Sequence, residues 1–134
     1  MSAPILTEGA ALEPVEYDVT RADLVAYAAA SGDHNPIHQD EAIALAVGLP
    51  GVIAHGMYTM ALVGRAVATW TGDAEVVELG CKFTAPVVVP ADAAARVRVA
   101  GTVKSVADGL ATLALEVTSG DAKVLGAPKA VVRA

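Results

Sequence analysis

Cysteine is nearly absent from this chain: Cys81 is the only one in 134 residues. An intramolecular disulfide is therefore impossible, a cysteine-based metal cage is excluded, and a reducing compartment is the natural setting. Aromatic residues are scarce too, at 4% of a chain that is 54% hydrophobic, so the core must be built from Ala, Val and Leu. Cationic side chains are outnumbered, with nine Lys and Arg against fifteen Asp and Glu, for a formal net charge of −6. A field of that sign repels phosphate backbones, so nucleic acid is not an expected partner, and an anionic ligand would need a local cationic patch. The first residues lack the basic and apolar regions of a secretory signal and carry Glu8 and Glu13 instead. No apolar run is long enough to cross a bilayer: residues 57–70 fall short of the roughly 20 required and include Arg65. The expectation is a cytoplasmic protein without membrane contact. No internal repeat or low-complexity linker divides residues 1–134, so one domain is expected.

Helical signals come first along the chain. Thr20 stands where an N-cap would, with Asp23 at the third helical position, and Leu24, Val25, Ala28 and Ala29 follow at helical spacing up to Gly32. Asp40 is placed to cap a short helix through EAIALAV, closed by Gly48. The third segment, AHGMYTMALVGRAVATW, is apolar nearly all the way round, which predicts a buried central helix over residues 55–71. After Gly72 the period changes to two. Val77, Leu79, Cys81 and Phe83 form one alternating set, Val97, Val99, Gly101 and Val103 a second, and Leu113, Leu115 and Val117 a third. Asp108-Gly109 marks a hairpin between the last two. A run over residues 122–133 and an early strand over residues 16–19 bring the number of expected strands to five. The resulting fold class is α+β, with an antiparallel sheet curled around one helix. Such a sheet covers the helix on one side only, so exposed apolar surface and free strand edges argue for a dimer.

The rarest polar side chains gather in one short stretch, SGDHNPIH at residues 31–38. Gly32 stops a helix and Pro36 forbids its resumption, so residues 33–36 form a turn. The plain reading is that Asp33 and Asn35 only tie that turn to its own amides. A zinc pair from His34 and His38 is disfavoured because Pro36 denies them a common helical face. An EF-hand loop would need Gly where His38 stands. A third histidine, His55, does not change the expectation that no metal is bound. The sharper reading pairs Asp33 with His38 across the rigid turn, a carboxylate and an imidazole able to share one water or one substrate hydroxyl. Neighbouring Ala, Val and Ile would desolvate such a pair. No Ser or Cys sits in a nucleophile elbow, so covalent catalysis has no support. At the start of the central helix, the amide of Gly56 lies at the positive end of the helix dipole, where a carbonyl oxygen could approach it closely. The plain alternative is that Gly56 only permits tight packing.

The stretch YAAASGDHNPIHQDEAIA, followed by G-x-x-x-H-G-M at residues 51–57, resembles the hydratase-2 motif of the MaoC-like, hotdog-fold dehydratases, and the likeness extends through KFTAPV to the closing hairpins. The resemblance implies a long central helix wrapped by a five-stranded antiparallel sheet, paired into a dimer. It implies that Asp33 and His38 are catalytic, that Asn35 supports the loop and that Gly56 supplies an oxyanion amide, with His55 placed to contact the site or a partner chain. The reaction implied is reversible dehydration of a (3R)-3-hydroxyacyl thioester to a trans-2-enoyl thioester, the dehydratase step of type II fatty acid elongation. R-specific hydration of enoyl-CoA is the alternative use of the same chemistry. No cofactor is implied. Expected partners are an acyl-ACP or acyl-CoA substrate and a second hotdog subunit, identical or related. Arg65, Lys82, Lys104, Lys123 and Lys129 are candidates to receive the carrier's phosphates. Tyr27 and Ser31 are expected to be structural, and Cys81, Phe83 and Trp70 to lie in the core or an interface. Two rivals remain at this point. A hotdog thioesterase would activate water at the carbonyl, which D-x-N-P-x-H fits less well. A non-catalytic acyl-binding subunit would lack the Asp/His pair that this chain carries.

Overall fold

Alternation and turn chemistry build most of the molecule, and the computed structural model describes residues 6–134 of it. The elements are β1 (Ala11–Val19), α1 (Arg21–Ser31), a single 3-10 turn (Pro36–His38), α2 (Glu41–Ala46), α3 (Gly56–Thr71), β2 (Val76–Phe83), β3 (Ala95–Ala107), β4 (Leu110–Ser119), β5 (Ala122–Lys123) and β6 (Leu125–Arg133). The strands form one antiparallel sheet in the order β1-β3-β4-β6-β2, with β5 added to β4. The β3–β4 hairpin turns through Asp108 and Gly109, both with positive φ (54° and 76°), the conformation that the dipeptide anticipates.

One face of this sheet packs on α3. Val97, Val99 and Val103 of β3, Ala111, Leu113, Leu115 and Val117 of β4, and Ala130 and Val132 of β6 are buried together with Leu62, Val63, Ala66, Val67 and Trp70 of the helix. The core is thus aliphatic, as the scarcity of aromatics requires. Trp70, the one large ring in it, keeps its indole N–H satisfied by donating to the carbonyl of Glu13 at 2.7 Å. This is the hotdog arrangement: a long helix cradled by a curved antiparallel sheet.

Three details depart from the sequence-based expectations. The early strand is longer than residues 16–19 and runs through an irregularity between Leu12 and Val15, where Pro14 has no N–H to give the ladder. The run over residues 122–133 is broken at Val124, which is buried and exchanges backbone bonds with Val117 and Thr84, leaving a two-residue β5 before β6. The central helix is not buried all round: Met57, Ala61, Arg65 and Thr69 form an exposed line along it, because the sheet covers only the opposite side. On edge strand β2, Val76, Val77 and Phe83 are likewise exposed, while Leu79 and Cys81 are half-buried. No helix among the described residues is long and apolar enough to cross a membrane.

Candidate active site

The first half of the site is a turn assembled from consecutive side-chain caps. Helix α1 begins with a reciprocal capping box, in which Thr20 Oγ1 accepts from the Asp23 amide (3.2 Å) and the Asp23 carboxylate accepts from the Thr20 amide (2.9 Å). It ends at Gly32, whose φ of 79° is the left-handed conformation that stops a helix at low cost. Ser31 Oγ then accepts from the Asp33 amide, Asp33 Oδ1 from the Asn35 amide and Asn35 Oδ1 from the Ile37 amide, each at 3.2 Å. Pro36 starts the 3-10 turn that follows. The plain reading of Asp33 and Asn35 as turn-forming residues is therefore correct, and for Asn35 it is the whole of the observed role. Asp33 keeps an exposed carboxylate besides.

This turn drives His38 inward, to 7% exposure, where its Nδ1 lies 2.7 Å from the carbonyl oxygen of Ile53. A carbonyl only accepts, so Nδ1 carries the proton and Nε2 is left for chemistry. The second half of the site is the segment before α3. Residues 52–54 are zipped to the strand-like residues 87–89 by Ala54 N–H to Val87 O (2.9 Å) and Val89 N–H to Val52 O (2.8 Å), and Ile53 N–H donates to Ile37 O (3.2 Å). These bonds tie the start of α3, and with it Gly56, to the Asp33 turn. As the first residue of the helix, Gly56 has an amide with no intrahelical acceptor.

The two halves converge on an open cavity of about 540 Å³. Asp33, His38 and Gly56 line it, and the rest of the wall is mostly apolar: Leu49, Ile53, Ala54, Met57, Phe83, Ala85, Pro86, Val87, Val124 and Leu125, with Thr59 and Thr84. A carboxylate oxygen of Asp33 and a ring nitrogen of His38 come within 4.8 Å of each other, a separation that one water can bridge with two hydrogen bonds of about 2.8 Å. Phe83 and Thr84 belong to the KFTAPV stretch of the resemblance, which gave them no place at the site, and Thr59 has no signature in it. Thr59 is buried one helical turn beyond Gly56, a spacing that could have flagged it. Phe83, expected in the core or an interface, lies outside this chain's core, 57% exposed with its ring directly over Gly56. Asn35 and His55 do not line the cavity. His55 is 1% exposed and stacks on His38, ring centroids 3.9 Å apart and planes 24° from parallel.

Asp33, His38 and His55 place their potential ligand atoms within 4.8 Å of one another, which raises the question of a metal. The stacking answers it against a shared ion. Imidazole lone pairs lie in the ring plane, and two planes so nearly parallel meet far beyond the Zn–N bond length of about 2.1 Å. The trio does not fit a metal centre in this arrangement.

Comparison with known proteins agrees with this fold. Residues 6–121 match the family described as the MaoC like domain. A stretch of 75 residues, 56% of the chain, is 44% identical to 3-hydroxyacyl-thioester dehydratase X of Mycobacterium tuberculosis. Among solved structures, one described as a MaoC-like dehydratase superposes over 96% of the chain with a TM-score of 0.92 and 36% identity. An R-hydratase from Pseudomonas aeruginosa, in its unliganded form, superposes over 96% of this chain and 82% of its own, with a TM-score of 0.82 and 26% identity. The matched stretch covers only 26% of the length of the mycobacterial enzyme, and the superposed residues cover 40% of the first solved chain. With residues 6–121 matching the family and the fold in accord, this chain belongs to the MaoC-like family of hotdog-fold domains.

Proposed function

We propose that the protein is a hydro-lyase that interconverts (3R)-3-hydroxyacyl and trans-2-enoyl thioesters, with Asp33 and His38 as its proton-transferring pair. The observation that carries the reading is the convergence of three groups on one apolar cavity: the Asp33 carboxylate, the His38 imidazole within 4.8 Å of it, and the Gly56 amide at a helix start. In the dehydration direction the thioester carbonyl accepts a hydrogen bond from Gly56 N–H, which acidifies C2. One member of the pair takes the C2 proton, the electron pair forms the C2–C3 double bond, and the C3 hydroxyl leaves with a proton from the other member. In hydration a water held between the two adds its hydroxyl to C3 and its proton to C2. Both transfers come from one side of the substrate, so the addition is syn. General acid–base catalysis of this kind contributes about 10²- to 10⁴-fold, and an oriented oxyanion donor about 10²- to 10³-fold.

The names of the relatives support the reading, since one is a 3-hydroxyacyl-thioester dehydratase and another an R-hydratase. Part of the yeast fatty acid synthase subunit beta is also 45% identical over 47 residues, which favours a place in fatty acid elongation. The apolar wall suits an acyl chain, and the carrier is coenzyme A or an acyl carrier protein. Of the cations considered for its phosphates, Lys129 is paired with Glu78 at 2.9 Å and Arg65 lies over the Tyr17 ring, whereas Lys82, Lys104 and Lys123 form no ion pair among the described residues. Residues 1–134 act as a single hotdog domain, paired with an identical or related subunit through surface left open on β2 and α3. The chemistry of the site itself calls for no cofactor.

The test follows the loss of enoyl-thioester absorbance with short and long acyl chains. Wild type is expected to turn over, while Asp33→Asn and His38→Ala fall by about 10²-fold or more in kcat. Wild-type rates in both variants would sink the mechanism. Activity that appears only on adding a second hotdog subunit would assign the protein to a heterodimer.

A further inference from the structure

His55 is the side chain that touches both members of the pair without touching the cavity. Its ring face lies 3.9 Å from that of His38, and its Nε2 lies 3.1 Å from the backbone carbonyl of Asp33. On α1, the Tyr27 ring packs against it at 4.7 Å, and Tyr27 in turn packs edge-on against Tyr58 of α3. At 1% exposure, His55 is closed to substrate. Because a carbonyl only accepts, the bond to Asp33 requires the proton to sit on Nε2. Nδ1 is then a bare lone pair, and it is buried with no hydrogen-bond partner among the described residues. A buried acceptor left without a donor is unfavourable, a cost that a residue serving only to fill space would not incur.

We infer that His55 is a positioning residue: its Nε2–H ties the Asp33 turn to the start of α3 while its ring face sets the plane of His38. The inference rests on the reaction proposed above. Asp33 reaches the cavity on a turn held by its own side-chain caps, and its link to the second half of the site through His55 spans 22 residues of sequence. His38 is pinned at Nδ1 by the Ile53 carbonyl, which fixes one edge of the ring and leaves rotation about that edge to be stopped by a neighbour. His55 is that neighbour. Losing the tie would let the Asp33 carboxylate drift relative to His38, and errors of about 1 Å in such pairs cost about 10²-fold in rate.

Two replacements separate the two contacts. His55→Gln retains an N–H near the Nε2 position without the ring, and His55→Phe retains a flat ring without the N–H. Both are first checked by circular dichroism and thermal melting. The expected result is a kcat loss of roughly 10- to 100-fold in His55→Phe with KM little changed, and a smaller loss in His55→Gln, which keeps the tie and gives up only the ring face. A His55→Phe variant with wild-type kcat overturns the role, as do equal losses in the two variants. Independently of turnover, a long-range 1H–15N spectrum of the wild type near pH 8.5, above the ordinary histidine range around 6.5, is expected to show the His55 proton on Nε2. A proton on Nδ1 overturns the role even if neither variant folds. A wild type that never turns over enoyl thioesters, alone or with a second subunit, overturns the reaction and the role together, whereas turnover with the proton on Nδ1 overturns the role alone.

Discussion

At Gly56 the absence of a side chain matters for what stands above it. A Cβ there would come within 2.9 Å of the Phe83 ring, but that ring is exposed and able to swing away. Gly56→Ala is therefore expected to fold with a melting temperature near wild type, while its turnover falls because the displaced ring intrudes on the cavity beside the oxyanion amide. The double variant Gly56→Ala/Phe83→Ala is expected to regain part of the lost rate, and a double-mutant cycle on kcat measures the coupling. If the added methyl instead blocks the amide itself, removing Phe83 restores nothing. Asp33 and His38 were legible as a pair from residue type and the rigidity of Gly32 and Pro36. His55 was legible only as a third histidine, because stacking between residues 17 apart in sequence has no local signature.

Among the elements, the β3–β4 pair is the least forgiving. Gly101 lies opposite Leu115, and a Cβ on it would come 2.4 Å from the Ala114 carbonyl oxygen, which is backbone and cannot rotate away. Gly101→Ala is expected to cost roughly 1–3 kcal/mol by overpacking, read as a shift in the denaturant midpoint with unchanged m-value. Alternation placed Val97, Val99 and Val103, and Leu113, Leu115 and Val117, on the buried face correctly, because both strands lie inside the sheet with one face on the helix. On β2 the same period does not mean burial within the chain. Its Val77 and Phe83 follow the apolar period, yet at the sheet edge there is no layer of this chain to cover them.

For the whole molecule, that exposed surface predicts assembly. Val76, Val77 and Phe83 on β2, with Met57 on α3, leave apolar side chains and an unpaired strand edge in water, a combination that favours pairing with another sheet. Sedimentation is expected to give about twice the 13.5 kDa of one chain, and Val77→Lys to lower that mass toward a single chain. A single-chain mass for the wild type at micromolar concentration would rule out self-pairing.

Alkaline stability is a second property of the whole. Burial pushes the phenols of Tyr17 and Tyr58 above their ordinary value of 10.0; the Asp23 carboxylate adds to the rise at Tyr58, and the Arg65 guanidinium opposes it at both. In the unfolded chain these groups lose their protons first. The stability they contribute is thus complete below pH 10 and disappears as pH climbs through the raised folded values. Denaturant midpoints are expected to hold up to about pH 10 and fall beyond it, and Tyr17→Phe to flatten part of that fall.

Short-range chemistry was sufficient for much of this protein. The Thr20–Asp23 capping box, the left-handed stop at Gly32, the Asp33–Asn35 turn, the Asp108-Gly109 hairpin and the alternation of β3 and β4 each depend on residues within a few positions of one another, so the chain alone determined them. The break at Val124, the half-open side of α3, the exposure of β2, the position of Phe83 over Gly56 and the packing of His55 against His38 depend on what the fold brings together from separate elements. Only the tertiary structure decided those, because a residue's burial and partners are set by the layer it meets and not by its neighbours in sequence.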